Sequence, residues 1–330
     1  MKIADIQLRE KPLFLAPMED VTDASFRYVC KKFGADMMYT EFVSSDGLIR
    51  DARKSLEKLV IYEYERPIGI QIYGHIPEAM TEAAKMAEAA KPDLIDINFG
   101  CPVNKIAKRG AGSGMMREPD KMVAITESIV KNVSLPVTVK TRLGWDEDSK
   151  IIVELAERLQ DTGISALTVH GRTRAQMYKG EADWTLIGKI KENPRMRIPI
   201  IGNGDIASPE QAREAFDRFG VDGIMIGRAT FGHPWIFREI RHYLDTGEKL
   251  PPMDVPERVR LAKEHLAKSI EIKGERVGIL EMRRHLSCYF KGLPDFKETR
   301  LKLVTSLSPD EIYSILDYIE ERWGDTETTL

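Results

Sequence analysis

The sequence predicts an α/β fold: a (β/α)8 TIM-type barrel followed by a small C-terminal helical bundle. Three observations predict it. Eight short apolar runs alternate with longer segments of helical spacing. A polar residue stands at the C-terminal end of nearly every run. Past residue 231 the runs stop and only helical segments follow. With 330 residues the chain has room for a barrel of about 250 residues and an appendage.

The apolar runs fall at 13–16, 37–39, 68–72, 94–97, 137–139, 166–169, 198–201 and 223–226. Most are rich in Ile, Val and Leu without strict alternation, the pattern of parallel strands buried on both faces. Helical spacing fills the intervals. Residues 77–90 carry Ala, Met and Glu at that spacing, and 119–131 opens with Pro119. Residues 149–162 run to a stop at Gly163. Residues 208–219 start from Ser208 as N-cap with Pro209 and Glu210 behind it, and stop at Gly220. An open doubly wound sheet is the alternative, but it usually has fewer strands and an early glycine-rich turn. No GxGxxG follows the first run, which weakens a dinucleotide-binding reading. Residues 235–244 read as the last barrel-side helix, and 246–252 as a linker by composition. Helices at 256–273, 275–291, 295–304 and 309–323 then form a bundle. The expected division is a catalytic barrel over 1–245 and a helical domain over 246–330.

The hydrophobic fraction of 42% fits a sizeable core, and the charged fraction of 31% a well-solvated surface. A net charge of -3 leaves any nucleic-acid binding to a local patch. Cys30, Cys101 and Cys288 are far apart, without CxxC spacing or a disulfide framework, and no metal site is read from them. That usage fits a reducing, cytoplasmic setting. The N-terminal stretch lacks the long apolar run of a secretory signal, and no segment approaches the roughly 20 apolar residues of a membrane span. A monomer is expected.

In a barrel, the polar strand ends converge on one mouth. Here they are Glu41, Gln71, Asn98, Lys140, His170, Asn203, Asp205 and Arg228. Any one of them alone could be a cap or a loop hydrogen bond. A ring of them at one end is not required for stability. The turns Gly202-Asn203-Gly204-Asp205 and Gly227-Arg228 fit a phosphate, with backbone N–H groups approaching the anion and Arg228 adding a forked donor. A flavin mononucleotide, a phosphosugar and pyridoxal phosphate satisfy that pattern equally. Cys101 follows the fourth run between Gly100 and Pro102. A free cysteine is commonly a small buried residue, but this one lies just past a strand end in a loop rich in Gly and Lys. Its thiol, mostly protonated at neutral pH, can donate a proton. Cys30 and Cys288 read as structural. Lys105, Lys108, Arg109, Arg142, Arg172 and Arg174 lie in loops on the same face. They form either a solvated rim or a grip on an anionic polymer.

Together these motifs resemble the tRNA-dihydrouridine synthases. The resemblance is carried by Leu15-Ala16-Pro17-Met18 with Val21-Thr22-Asp23, residues 96–102 (DINFGCP), 139–144 (VKTRLG), 170–174 (HGRTR), 202–205 (GNGD) and Ile226-Gly227-Arg228. Residues 233–240 (HPWIFREI) and 243–247 (YLDTG) are similar to the bacterial branch. The resemblance covers the barrel and linker; the helical region matches in position and type. It implies FMN as cofactor, NADPH as reductant and tRNA as partner. Its flavin pattern falls on Pro17, Met18, Glu19, Gln71, Lys140, His170, Asn203, Gly204, Asp205, Gly227 and Arg228. The family more often has a small residue where Glu19 stands, so a backbone contact is what carries over there. The general acid falls on Cys101, and Asn98 falls where the uracil edge would be held.

The implied chemistry is reduction of the uracil C5=C6 bond. Hydride adds at C6, charge develops on C5 and O4, and Cys101 protonates C5. Lys140 is expected beside the flavin, where reduced flavin is negative. The base must leave its stack, and the helical domain and basic rim would supply RNA contacts, with Lys105, Arg142, Arg172 and Arg174 as substrate contacts. A dihydroorotate or dihydropyrimidine dehydrogenase shares the barrel, FMN and a loop cysteine but needs no RNA-binding domain. A noncatalytic RNA-binding barrel needs neither the flavin pattern nor Cys101.

Overall fold

The computed structural model describes residues 1–326. Eight parallel strands close into a barrel: β1 (Leu13–Leu15), β2 (Met38–Tyr39), β3 (Ile68–Tyr73), β4 (Leu94–Asn98), β5 (Val137–Arg142), β6 (Ala166–His170), β7 (Ile200–Asn203) and β8 (Gly223–Ile226). Closure comes from a parallel bridge between Phe14 and Met37 and from the Leu15 N–H donated to Met37 O at 3.1 Å. Helices α1 (Ala24–Lys32), α2 (Pro77–Ala89), α3 (Pro119–Asn132), α4 (Ile152–Asp161), α5 (Thr185–Glu192), α6 (Pro209–Phe219) and α7 (Ile236–Thr246) surround it. The eight strands fall where the apolar runs place them. Strand β5 runs three residues further, through Lys140 and Arg142. Strand β7 starts two residues later, because Pro199 precedes it.

Local chemistry sets the helix ends. The Ser208 hydroxyl accepts from the Gln211 N–H, Pro209 takes the first turn, and Gly220 ends α6 in the left-handed conformation. The strands bury both faces, but not alike. Leu13, Leu15, Ile70, Ile72, Ile95, Ile97, Val137 and Val139 face outward and pack with the helices. Alternate residues face inward. Phe14, Tyr39, Leu94, Ala166, Ile201 and Met225 form a separate inner cluster. Ile3 and Leu8 of an N-terminal hairpin (strands Lys2–Ile3 and Ile6–Gln7) join it from the barrel floor. Above this apolar floor the inward residues turn polar.

Beyond α7, which stops at left-handed Gly247, come α8 (Val255–Lys273), α9 (Glu275–Tyr289), α10 (Lys297–Thr305) and α11 (Pro309–Trp323). Asp254 and Ser308 cap α8 and α11, each ahead of a proline in the first turn. These helices share a second core with Val29 and Trp235 of the barrel side. The seam against α1 is polar and buried. His265 sits between the Ser25 hydroxyl at 3.2 Å and the Tyr289 hydroxyl at 2.8 Å, and Phe26 stacks on His285 at 4.5 Å. Asp23, the α1 N-cap, forms an ion pair with Lys273. Among the described residues no helix is long and apolar enough to cross a membrane.

Candidate active site

The C-terminal ends of the barrel strands open on a cavity of about 810 Å³. Pro17, Met18 and Glu19 wall it after β1, Asn98 and Cys101 at and after β4, Lys140 and Arg142 on β5, and His170 on β6. Asn203, Gly204 and Asp205 at the end of β7 and Gly227 and Arg228 after β8 complete the ring. Most of the candidates read from the sequence are thus brought together in one space.

Cys101 is held by its whole loop. Its N–H and that of Gly100 both donate to Asn98 Oδ1 at 2.9 Å. Arg142 Nε donates to Gly100 O at 2.7 Å, and the Ser113 hydroxyl to Cys101 O at 2.7 Å. Only 7% of Cys101 is exposed, on the cavity wall. Burial pushes its thiol up, so it stays protonated at neutral pH and can give a proton to a group in the cavity.

Lys140 is half-buried on the same wall. Burial, and then the Arg142 guanidinium, bring it down to about 8. It remains largely charged at neutral pH and faces a space where a negative group would be stabilised. Burial and the cations Arg142 and Lys140 push His170 well below its ordinary value, so its ring is neutral. Asn203 Nδ2 donates to Met225 O at 2.8 Å, which fixes its amide.

The two glycine turns form a cradle of backbone donors that could hold an anion. Among the described residues no acceptor meets the backbone N–H groups of Gly204, Arg228 and Ala229, all on the cavity wall. Gly204 has φ +126°, and a Cβ there would lie 2.7 Å from Ala182 Cβ and 3.0 Å from His170 Cδ2. Asp205 anchors the turn. Arg172 donates to its two oxygens at 2.9 and 2.6 Å, Arg228 at 2.9 Å and the Ala182 N–H at 2.8 Å. Burial alone would raise the Asp205 carboxyl, but the Arg172 hydrogen bond and the Ala182 N–H outweigh it and hold it low.

Three expectations are revised. Arg172 is not a rim cation: it is 1% exposed, and its guanidinium is spent on Asp205, Lys179 O and Gly180 O. Gln71 lies behind the cavity wall, fully buried, because its amide is taken by Asp96 and Asn98. Arg142 is 2% exposed and holds the cysteine loop, although it also lines the cavity. The Glu19 side chain is paired with Lys58 at 2.5 Å. Lys105, Lys108 and Arg109 are exposed around the short helix Asn104–Ala107, outside the cavity. Arg174 stacks over Trp145 at 4.6 Å and bonds Asn104, tying two loops of the rim together. Tyr178 and Phe231 also line the mouth. They stand at no strand end, so no pattern in the sequence marks them.

Residues 14–318 match the family model described as Dihydrouridine synthase (Dus). A tRNA-dihydrouridine synthase B from Pseudomonas aeruginosa is 41% identical over 311 residues, 94% of this chain and 93% of that protein. A probable tRNA-dihydrouridine synthase 1 from Synechocystis is 42% identical over 318 residues, 96% and 88% of the two chains. Among solved structures, 2-naphthoyl-CoA reductase with 2-naphthoyl-CoA aligns with a TM-score of 0.60 at 11% identity, over 98% of this chain and 69% of that one. A morphinone reductase variant with tetrahydroNAD aligns at 0.54 and 12% identity, over 76% and 91%. At such identities these two speak for the barrel alone. The family model and the sequence relatives both span nearly the whole chain, and on that basis this protein belongs to the dihydrouridine synthase family.

Proposed function

We propose that the protein reduces the C5=C6 bond of specific uridines in tRNA to 5,6-dihydrouridine, with FMN in the barrel mouth and NADPH as the source of electrons. The observation that carries this reading is a protonated, clamped Cys101 on the same cavity wall as Lys140 and the anion cradle. The free N–H groups of Gly204, Arg228 and Ala229 suit the flavin phosphate. Lys140 suits the negative end of the isoalloxazine, and His170 and Asn203 its edges. Bound FMN, once reduced, supplies the hydride for C6 of the base. Cys101 holds the proton that C5 takes, and its raised pKa keeps that proton in place until carbanion character develops. Asn98 meets the base edge, and Pro17 and Met18 wall the same cavity.

Extruding a stacked base costs a few kcal/mol. The exposed Lys105, Lys108 and Arg109 supply phosphate contacts that offset it, with Arg174 beside them; none of the first three has a salt-bridge partner among the described residues. The helical region from 246 onward is the RNA-binding domain of this reading, and the protein acts as a cytoplasmic monomer. The test is single-turnover oxidation of the chemically reduced protein, followed by flavin absorbance. Rapid reoxidation by unmodified tRNA, with dihydrouridine in the product, is the expected result. Reoxidation by free uracil or orotate but not by tRNA would move the assignment to a small-molecule dehydrogenase.

A further inference from the structure

We propose that Asp96 is a positioning residue: through Gln71 it sets the direction of a buried hydrogen-bond chain, so that Asn98 offers the cavity an N–H and clamps the Cys101 loop with its oxygen. The role assigned to the Cys101 proton and to the base rests on the function proposed above; the chain itself does not.

The strand register creates the chain. Gln71 on β3 and Thr138 on β5 stand opposite Asp96 on β4. All three face inward and are no more than 1% exposed. Asp96 Oδ1 accepts from the Thr138 hydroxyl at 2.5 Å, and Oδ2 from Gln71 Nε2 at 2.6 Å. An ionised carboxylate can only accept. Gln71 must therefore turn its nitrogen down to Asp96 and its oxygen up to Asn98. Gln71 Oε1 accepts from Asn98 Nδ2 at 2.8 Å. Asn98 must in turn point its oxygen at the loop, where it takes the Gly100 and Cys101 N–H groups. Both acceptor positions of that oxygen are then filled.

What remains to Asn98 on the cavity side is one N–H. Such a donor matches a carbonyl oxygen of a base and repels an exocyclic amino group. Carboxamides alone have no preferred direction, since their oxygen and nitrogen ends are nearly the same shape. The loop N–H groups are fixed donors at the head of the chain, so its foot must offer Gln71 an acceptor: Asp96 does, and an asparagine there can, with its oxygen toward Gln71 and its nitrogen toward the Thr138 hydroxyl. Among the described residues Asp96 has no salt-bridge partner; it is a buried carboxylate whose direct contacts are hydrogen bonds, with the Lys140 charge acting on it from a distance. Asp96 touches neither the cavity nor Cys101, and any effect of changing it passes through Gln71 and Asn98.

The test compares Asp96→Leu, which keeps the bulk but cannot accept, with Asp96→Asn, which can. Each is purified with FMN bound. Three quantities are read: flavin per chain, the alkylation rate of the Cys101 peptide by iodoacetamide, and reoxidation of the reduced flavin across tRNA concentrations. Asp96→Leu is expected to keep its flavin, to speed Cys101 alkylation several-fold, and to lower the maximal reoxidation rate by roughly 30-fold or more, with the half-saturating tRNA concentration little changed. Asp96→Asn is expected to stay within about threefold of the parent in both rates. If Asp96→Leu does not fold, Gln71→Met cuts the chain one link higher, keeps its bulk and must give the same pair of effects. Unchanged alkylation of Cys101 in a flavin-loaded Leu or Met variant overturns the proposal, as does failure of the Asn variant to rescue. Alkylation needs no substrate. A parent protein that tRNA does not reoxidise would therefore sink the proposed function separately from the positioning chain.

Discussion

Asp96→Asn should make the protein more stable at neutral pH, and by an amount that depends on pH in a defined way. Burial raises the Asp96 carboxyl from 3.8 to about 6, against the opposing hydrogen bonds from Gln71 and Thr138. A shift of about two units corresponds to about 3 kcal/mol at 1.36 kcal/mol per unit. The sign follows from linkage. The folded state binds the proton more tightly than the unfolded chain, so ionising Asp96 costs stability. The cost is absent below pH 4, grows as pH rises from 4 to 6, and is complete above 6. An asparagine of the same shape keeps an acceptor for Gln71, and its Nδ2 donates to the Thr138 hydroxyl, which can also accept. For 330 residues at about 2.1 cal/mol/K each, 3 kcal/mol is a rise of about 4 °C in the unfolding midpoint. The assay is thermal unfolding of parent and variant across pH 4 to 8. A gain that is small at pH 4, grows through pH 5 and is complete above pH 6 supports the reasoning. A loss of stability at pH 7, or an equal gain at pH 4 and pH 8, would refute it.

Cys101→Ala should retain flavin and lose tRNA turnover by about 10²-fold or more, as for removal of a general acid; full activity would remove the thiol from the mechanism. Lys140 loses its charge as pH rises through about 8, so FMN affinity should weaken on that alkaline limb. Titration of Lys140→Met should show no such limb, and an unchanged one would assign it elsewhere. Arg172→Ala should release flavin rather than weaken tRNA binding, because it strips Asp205 of its bidentate partner at the anion cradle; equilibrium dialysis of FMN decides. Replacing Lys105 and Lys108 with alanine should leave flavin content alone and lower the salt dependence of tRNA binding by about one unit of slope per lysine.

The barrel was legible because its signal repeats. Eight apolar runs at regular intervals leave few other closed architectures, and the capping residues Ser208, Gly163 and Gly220 mark helix ends by chemistry that acts within a few residues. The site was legible where polar residues interrupt an apolar run at its end, as at Asn98, Lys140 and His170. What a single strand cannot disclose is what faces it. Arg172 reads as a surface cation until Asp205, 33 positions later, is seen to fill its fork. Gln71 reads as a ligand contact until Asp96 and Asn98, on the next strand, are seen to use its amide. Tyr178 comes to the mouth through a loop whose path no periodicity encodes.

The inward faces of the strands form a gradient that explains why the site can be rigid. At the floor, Phe14, Leu94, Ala166, Ile201 and Met225 fill the barrel with apolar atoms. One layer up, Gln71, Asp96 and Thr138 are as deeply buried but polar, which is tolerable only because each satisfies the next. At the mouth, Asn98, His170 and Asn203 spend part of their hydrogen-bonding capacity on the protein, and with Lys140 they line the cavity. The middle layer thus does what bulk water does for an exposed site, but with fixed dipoles. Reorienting one amide there leaves a donor facing a donor in a closed space, at a cost of about 1–3 kcal/mol for each unsatisfied group. That penalty, transmitted from Asp96 to Asn98, holds the Cys101 loop in place before any substrate arrives.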